Sequence, residues 1–426
     1  MSSLYLMDAH QHSAPPENGD KWRLRFWSIF IGQGLSLCGS ALTQFVLLWW
    51  ITDTTGNVSD LAIAGVAAML PQALLSPLGG VFSDRYSRRV LMILADVISA
   101  LCMVVLIILF LTAHIALWHA WVMMAIRSAM QAFQMPAAAA SIYMLVPRQF
   151  LPRATGFEHA LQSLTVVTAA PLGAMAIGAM PIGWALAIDV CTAICGVLPL
   201  LCFRIPQIFT PNQSRPGILV EFKEGLSAVR NTPGLVALFI LLATTVLVIM
   251  PAFTLLPMLV KQHFSGSPTQ VAWMEGLSGI GMVIGGVAVG AMVPQRPILW
   301  ILVGFACSCF SIALTALVPG NLFGVAVAWW VMSGVFFIFG DVPLTTMLQT
   351  LVPNQLQGRV FSILNAIMSL SAPVGLLVIT PLSETLGVRW IFILSGCLGG
   401  FISIIGFLFP SLQRLGQSNG KHSGID

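Results

Sequence analysis

The chain has 426 residues, 57% of them hydrophobic and only 8% charged, with 19 Lys and Arg against 15 Asp and Glu. Soluble domains carry about 25% charged residues, so an ordinary water-facing surface is excluded. Apolar runs of about 18 residues or more recur throughout, each long enough to cross a hydrocarbon core as a helix, and an integral membrane protein is expected.

Residues 1–20 are polar and hold no apolar core, so no cleavable leader is expected and the first span would act as its own insertion signal. Twelve spans follow: 26–51, 60–82, 90–112, 118–143, 156–179, 183–203, 234–259, 270–292, 298–318, 322–348, 360–381 and 390–410. The longest gap, 204–233, carries Pro206, Pro211, Pro216 and Pro233 and mixed charge, and "ILVEFKEGLSAVR" within it has the spacing of a short surface helix. The expected organisation is a cytoplasmic tail 1–25, a six-helix bundle 26–203, a linker 204–233, a second six-helix bundle 234–410 and a cytoplasmic tail 411–426. The fold class is all-α integral membrane, with twelve transmembrane helices in two six-helix pseudo-symmetric halves.

Charge placement orients this layout. With a cytoplasmic N-terminus, the inner segments hold most basic residues, among them Arg85, Arg88, Arg89, Arg148, Arg153, Arg204 and Arg359. The outer loops hold only Lys261 and Arg389. Ten of the twelve tryptophans fall near span ends, where indole is favoured; Trp329 and Trp330 do not, which points them toward the interior. The eight cysteines all lie in apolar segments and read as small core residues rather than a disulfide framework or metal site.

The two halves echo each other. "LVPRQFLPR" (145–153) aligns with "LVPNQLQGR" (351–359) at an offset that also superposes Gly79 and Gly80 on Gly285 and Gly286, and Phe133 on Phe339. Parallel repeats of this kind are a transporter architecture with a site near midplane.

Four ionisable residues crowd into "GGVFSDRYSRR" (79–89). Gly80, Asp84, Arg85, Arg88 and Arg89 give a pattern that resembles the loop signature of the major facilitator superfamily between its second and third helices. Arg127 within "IRSAMQAF" resembles the family's helix-4 arginine motif, and "APLG" (170–173) a variant of the Gly-Pro motif of drug–proton antiporters, with Ala170 where glycine is usual. "LQSL", "AIDV", "RIPQ" and "LQGRVFS" are similar to the macrolide and siderophore exporter branch. The resemblance implies a proton-coupled antiporter. It also implies that Asp84 faces the start of the eleventh helix near Arg359 and latches the cytoplasmic side shut. The glycines before the turn are expected to let the second and third helices pack closely.

Ionisable groups inside spans are costly and are functional candidates by default. Asp96, Arg127, Glu158, Asp189, Glu275 and Asp341 are such groups. In the family's geometry Asp96 and Asp189 belong to peripheral helices, where a hydrogen-bonded helix contact is as good a reading as a proton role. Glu275 is the leading proton-carrier candidate, with Asp189 and Glu158 beside it, against the alternative of a fixed hydrogen bond. Arg127 is expected to pair with a carboxylate or with carbonyls. Glu158 and Asp341 sit near the inner helix ends, close in sequence to Arg153 and Arg359 respectively, and salt bridges across the seam there would close the cytoplasmic mouth in one state. Gln33, Thr43, Gln44, Arg127, Trp329 and Trp330 are candidate cavity residues.

No Walker A loop, HExxH or GxSxG motif is present, so neither ATP drive nor a membrane enzyme has sequence support. The expected function is export of an amphipathic or lipophilic small molecule from the cytoplasm by proton antiport. Siderophore export is the close alternative; proton-coupled nutrient import and a non-transporting receptor are more distant. No cofactor, metal or nucleic acid is expected. The expected partners are the substrate, protons and the lipid of the plasma (inner) membrane, and a monomer is expected.

Overall fold

Glycine and proline set the ends of the long helices. Gly56 (φ +61°) turns the chain after the first helix, and Asn57 then caps the second by accepting from the Ser59 backbone N–H at 3.0 Å. Gly387 (φ +81°) makes the last tight turn, in a region of backbone space that side chains with a Cβ enter at a cost. The computed structural model describes residues 21–205, 226–227, 229–232, 234–292, 296–352 and 354–412. Among these there is no strand.

The helices are α1 (Lys21–Thr55), α2 (Val58–Arg85), α3 (Arg88–Leu111), α4 (Leu117–Leu145), α5 (Leu151–Ala179), α6 (Ile182–Cys202), α7 (Leu235–Thr254), α8 (Leu256–His263), α9 (Pro268–Met292), α10 (Pro297–Leu317), α11 (Phe323–Leu351), α12 (Asn354–Leu386) and α13 (Val388–Ile405). Every span expected from sequence falls on one of them, and the seventh is divided. Pro251 and Pro257 each lack the N–H that a continuous helix needs, and the chain breaks at Leu255 (φ −90°, ψ 4°) between α7 and α8. In the linker, residues 226–227 and 229–231 are helical; the rest of the expected surface helix lies outside the described residues.

Eleven helices among the described residues are long and apolar enough to cross a membrane. The long helix that is not among them is α4, whose apolar run is diluted by His119, Arg127, Gln131 and Gln134. The protein is a multi-pass integral membrane protein.

Packing follows a recurring scheme. In the N-terminal half of the sequence, α1 to α6, α1 packs on α5 and α6, α2 on α4, and α3 on α4 and α6. In the second, α7 packs on α12 and α13, α9 on α11, and α10 on α11 and α13. Between the halves, α2 meets α12 and α5 meets α9. Small residues permit the closest crossings. Gly32 and Gly39 of α1 lie against Cys195 and Thr192 of α6, and Gly396 of α13 lies against the Cys309 carbonyl of α10.

One hydrophobic cluster joins both halves at the end of the molecule that carries the α1–α2 turn. It includes Leu47, Ile51 and Leu61 together with Leu256, Leu259, Trp330 and Phe392. The opposite end has two separate clusters. Phe26, Met92, Leu145 and Leu200 belong to one half, and Leu235, Ile301, Leu348 and Val360 to the other. The halves are therefore packed together at one end and parted at the other.

Candidate functional site

Two cavities lie where the halves part. One of about 440 Å³ is walled by α1, α2, α3, α4 and α5, including Phe26, Gln33, Gln134 and Glu158. The other, about 610 Å³, is walled by the second half and α2, including Phe253, Asp341 and Asn365. Gln72 of α2 lines both. Their walls combine aliphatic and aromatic side chains with glutamine amides, hydroxyls and one carboxylate each, Glu158 and Asp341, which suits a bulky amphipathic occupant.

Behind the smaller cavity runs a buried polar cluster. Arg127 of α4 pairs with Asp189 of α6 at 3.2 Å, with side chains 8% and 3% exposed. Ser40 of α1 ties into the pair twice: its hydroxyl donates to Asp189 Oδ1 at 3.0 Å, and its carbonyl accepts from Arg127 Nη2 at 3.4 Å. Asp96 of α3, 3% exposed, accepts from Gln134 Nε2 at 2.6 Å, Gln33 Nε2 at 2.9 Å and Ser36 Oγ at 3.5 Å. Buried charges persist when paired or heavily hydrogen-bonded, and these eight side and main chains bind four helices into one unit.

The packed end has its own polar tie. Lys261 of α8 donates from Nζ to the Asp53 carboxylate and carbonyl, both at 2.8 Å, and to the Thr52 carbonyl at 3.3 Å. Gln262 Nε2 donates to the Gly56 carbonyl at 2.8 Å. These bonds span the two halves and cap the last turn of α1, where carbonyls lack helical partners.

Residues 29–376 and 238–423 match the model of the Major Facilitator Superfamily. The chain belongs to the major facilitator superfamily. It is 30% identical over 401 residues to Macrolide efflux protein A of Streptococcus pyogenes, covering 94% of this chain and 99% of that one. To Macrolide efflux protein A of Enterococcus faecalis it is 31% identical, over 72% of this chain and 96% of the relative. The multidrug efflux pump Tap of Mycolicibacterium fortuitum is 23% identical over 88% and 93% of the two chains. Among solved structures, a bacterial homolog of the human lysosomal transporter Spinster, inward-facing and unoccupied, superposes with a TM-score of 0.70 at 15% identity, covering 94% and 99% of the chains.

The signature loop of this major facilitator divides its labour differently from the expectation. A Cβ at Gly79 would land on the Ala132 carbonyl of α4, whereas one at Gly80 meets nothing within 4 Å. Close packing thus serves α2 against α4, not α2 against α3, and Gly79 is the residue that needs no side chain. Arg88 donates to the Ser83 carbonyl at 3.3 Å and to Ala140 of α4 at 2.9 Å; Arg89 donates to the Leu200 carbonyl and, at 2.8 Å, to Leu201 of α6. Both arginines cap helices near their C-terminal carbonyls, where positive charge is favoured. Arg85 is exposed. The side chains of Asp84 and Arg359 lie outside the described residues.

The remaining candidates separate by position. Gln33 lines the smaller cavity, as does Glu158, while Asp341 lines the larger; Arg153 is exposed. Neither Glu158 nor Asp341 has an ion-pair partner among the described residues. Glu275 is half-buried in α9, on the side opposite the exposed stripe Trp273, Ile280, Ile284 and Val287. It has no hydrogen-bond partner among the described residues and lines neither cavity. Trp330, 2% exposed, belongs to the cluster that closes the packed end and lies tilted against Phe253 at 5.3 Å; Trp329 packs on the same cluster, and neither lines either cavity. Thr43 is buried and its hydroxyl has no partner among the described residues, and Gln44 lines a small void next to Arg127.

Sequence reasoning left Gln131, Gln134, Ser36 and Ser40 unnamed and set Asp96 on a peripheral helix. A signal for them exists. Gln33–Ser36–Ser40 and Arg127–Gln131–Gln134 recur at three, four and seven residues, which puts each set on one helix face.

Proposed function

We propose that the chain is a secondary exporter that expels an amphipathic, macrolide-like compound from the cytoplasm in exchange for protons. Its twelve spans would form two six-helix bundles, with α7 and α8 together making the seventh span and α4 the fourth. Both termini lie in the cytoplasm. The observation that carries this reading is the near full-length similarity to Macrolide efflux protein A. The parted halves around largely apolar cavities support it, as do paired helix contacts that repeat between the halves: Gly79 against Ala132, and Gly285 against Val335.

Sidedness follows from charge. Arg85, Arg88, Arg89, Arg153, Arg204 and Arg296 stand at the parted end, while Lys261 and Arg389 stand at the packed end. The basic end faces the cytoplasm, so the cavities open inward. Export then requires the halves to rock until the tie at Lys261 breaks and the parted ends close. Asp341 and Glu158 at the open mouth would gain partners in that closed state, and Asp84 would meet the start of α12. Glu275, a carboxyl on an interior face with no partner among the described residues, is the group we assign to proton exchange in the second half.

Everted membrane vesicles with an imposed proton gradient test the reading, with a macrolide such as erythromycin, a lipophilic dye and a siderophore as probes. Proton-dependent accumulation of the macrolide, lost in Glu275→Gln, is the expected result. Accumulation of the siderophore alone would replace the substrate class. Uptake of every probe without regard to the gradient would remove the antiport mechanism.

A further inference from the structure

A second carboxyl in this protein is built to change state, and it sits one residue behind the wall of the smaller cavity. Asp96 is buried, and no cation reaches it: among the described residues the ion pairs are Arg127 with Asp189 and Lys261 with Asp53. Three donors surround its two oxygens instead, and all three residues, Gln33, Ser36 and Gln134, line the cavity themselves.

The amide orientations are fixed by a group that can only accept. Gln33 Nε2 donates both to Asp96 Oδ2 and to the Gly196 carbonyl of α6, at 3.2 Å. Its Oε1 therefore faces away and accepts from Gln134 Nε2, also at 3.2 Å. Gln134 Nε2 in turn donates to Asp96 Oδ1. The arrangement aims a donor at each carboxylate oxygen and offers no acceptor to a carboxyl proton, which matches the ionised form.

We propose that Asp96 binds and releases a proton, and that the Gln33 and Gln134 amides convert its state into a change in the cavity wall. When a proton adds to Oδ2, the new O–H points at the Gln33 NH2 group, donor against donor. An amide is relieved by turning its oxygen toward the acid. Turning Gln33 breaks its bond to Gly196 and withdraws the acceptor that Gln134 uses, so Gln134 must also find a new partner. One proton thus alters two polar contacts facing the substrate and one tie between α1 and α6. Loss of the proton restores the original set, and the O–H bond to that proton is the one covalent bond made and broken.

The charged neighbours leave Asp96 as the group that responds. The Arg127–Asp189 pair lies across a void of about 10 Å³ lined by Ser99 and Gln131. It is internally neutral and further held by Ser40. Glu158 stands elsewhere on the wall of the same cavity. Cys102 and Met103 on α3 complete the surroundings, with Met103 Sδ 3.8 Å from Arg127 Nη1.

The inference rests on the proton-driven reading above but is tested without transport. Infrared difference spectra are recorded on the full-length protein in liposomes as pH is stepped, with and without ¹³C-labelled glutamine. A carboxylic-acid band should appear on acidification, vanish in Asp96→Asn and persist in Glu275→Gln, and labelled glutamine bands should shift with the same midpoint. A spectrum unchanged by Asp96→Asn overturns the proton site, and unmoved glutamine bands overturn the readout. Should Asp96→Asn fail to fold, Gln134→Leu keeps the acid and must move its band by removing a hydrogen bond; a band that stays in place refutes the proposal. These spectra can succeed in a protein that shows no proton-driven export, and export through Glu275 can persist when they fail.

Discussion

Replacing Lys261 with alanine should favour a form in which the packed end opens. The ammonium holds three acceptors on the other half, the carbonyls of Thr52 and Asp53 and the Asp53 carboxylate. The carboxylate side chain is 62% exposed and the lysine 31%, so solvent screens the pair, and its share is on the order of 0.2–1 kcal/mol. Positive charge on the last carbonyls of a helix adds about 0.3–1 kcal/mol. Together these come to roughly 0.5–2 kcal/mol present only while this end is packed, or about a 2- to 30-fold shift in the balance of two states. Electron–electron distance measurements between spin labels at the parted ends, in a cysteine-free background, would read that balance directly. The expected result is growth of the short-distance population in Lys261→Ala and a smaller change in Asp53→Asn, which removes the ion pair but leaves the capped carbonyls. If Asp53→Asn shifts the distances as much as Lys261→Ala, the capping argument is wrong; if neither moves them, the tie does not hold the end closed.

Three further outcomes follow from the geometry. Arg127→Met leaves Asp189 buried with Ser40 as its remaining donor, and should cost about 3–5 kcal/mol; thermal unfolding of the purified protein should place the Arg127→Met/Asp189→Leu double variant above the single one. Gly79→Ala should lower the yield of monodisperse protein on fluorescence-detected gel filtration, because its methyl group would meet the Ala132 carbonyl, whereas Gly80→Ala, with open space around it, should behave as wild type. Asp341→Asn should change the inward–outward distance distribution if that carboxylate gains a partner when the mouth closes, and an unaltered distribution would discard it as a gate residue.

The helices were legible because membrane spans announce themselves: apolar runs of fixed length, bounded by glycine, proline and charge, locate α1 to α6 and α9 to α13 to within a few residues. What escaped was everything that depends on which helix faces which. Asp96 lies on α3, whose neighbours in sequence, Leu94, Val97 and Leu101, are exposed apolar residues, and the family's helix arrangement makes α3 an outer helix. Its buried stripe nonetheless turns Asp96 inward to Gln33 and Gln134, residues 63 and 38 positions away. No local spacing contains that encounter. The break at Leu255 was hidden for a related reason: its flanking prolines are common in membrane helices, and the run stays apolar across the break. Gly79 and Gly80 show the same limit at the scale of one residue, since adjacent glycines point to opposite surroundings.

The buried charges are unevenly shared between the halves. Asp96, Arg127 and Asp189 interlock four helices of the first half, while the interior of the second carries Glu275 and Asp341, which have no partner among the described residues, and otherwise packs through apolar side chains, small residues and the Ser308–Ser333 bond. A framework held by directional bonds admits few substitutions, because each leaves a neighbour unsatisfied. Shape-based packing tolerates exchange among residues of similar volume. Descent should therefore record the two halves at different tempos, with the first nearly frozen around its polar frame and the second free to recontour its cavity as the compounds to be expelled change.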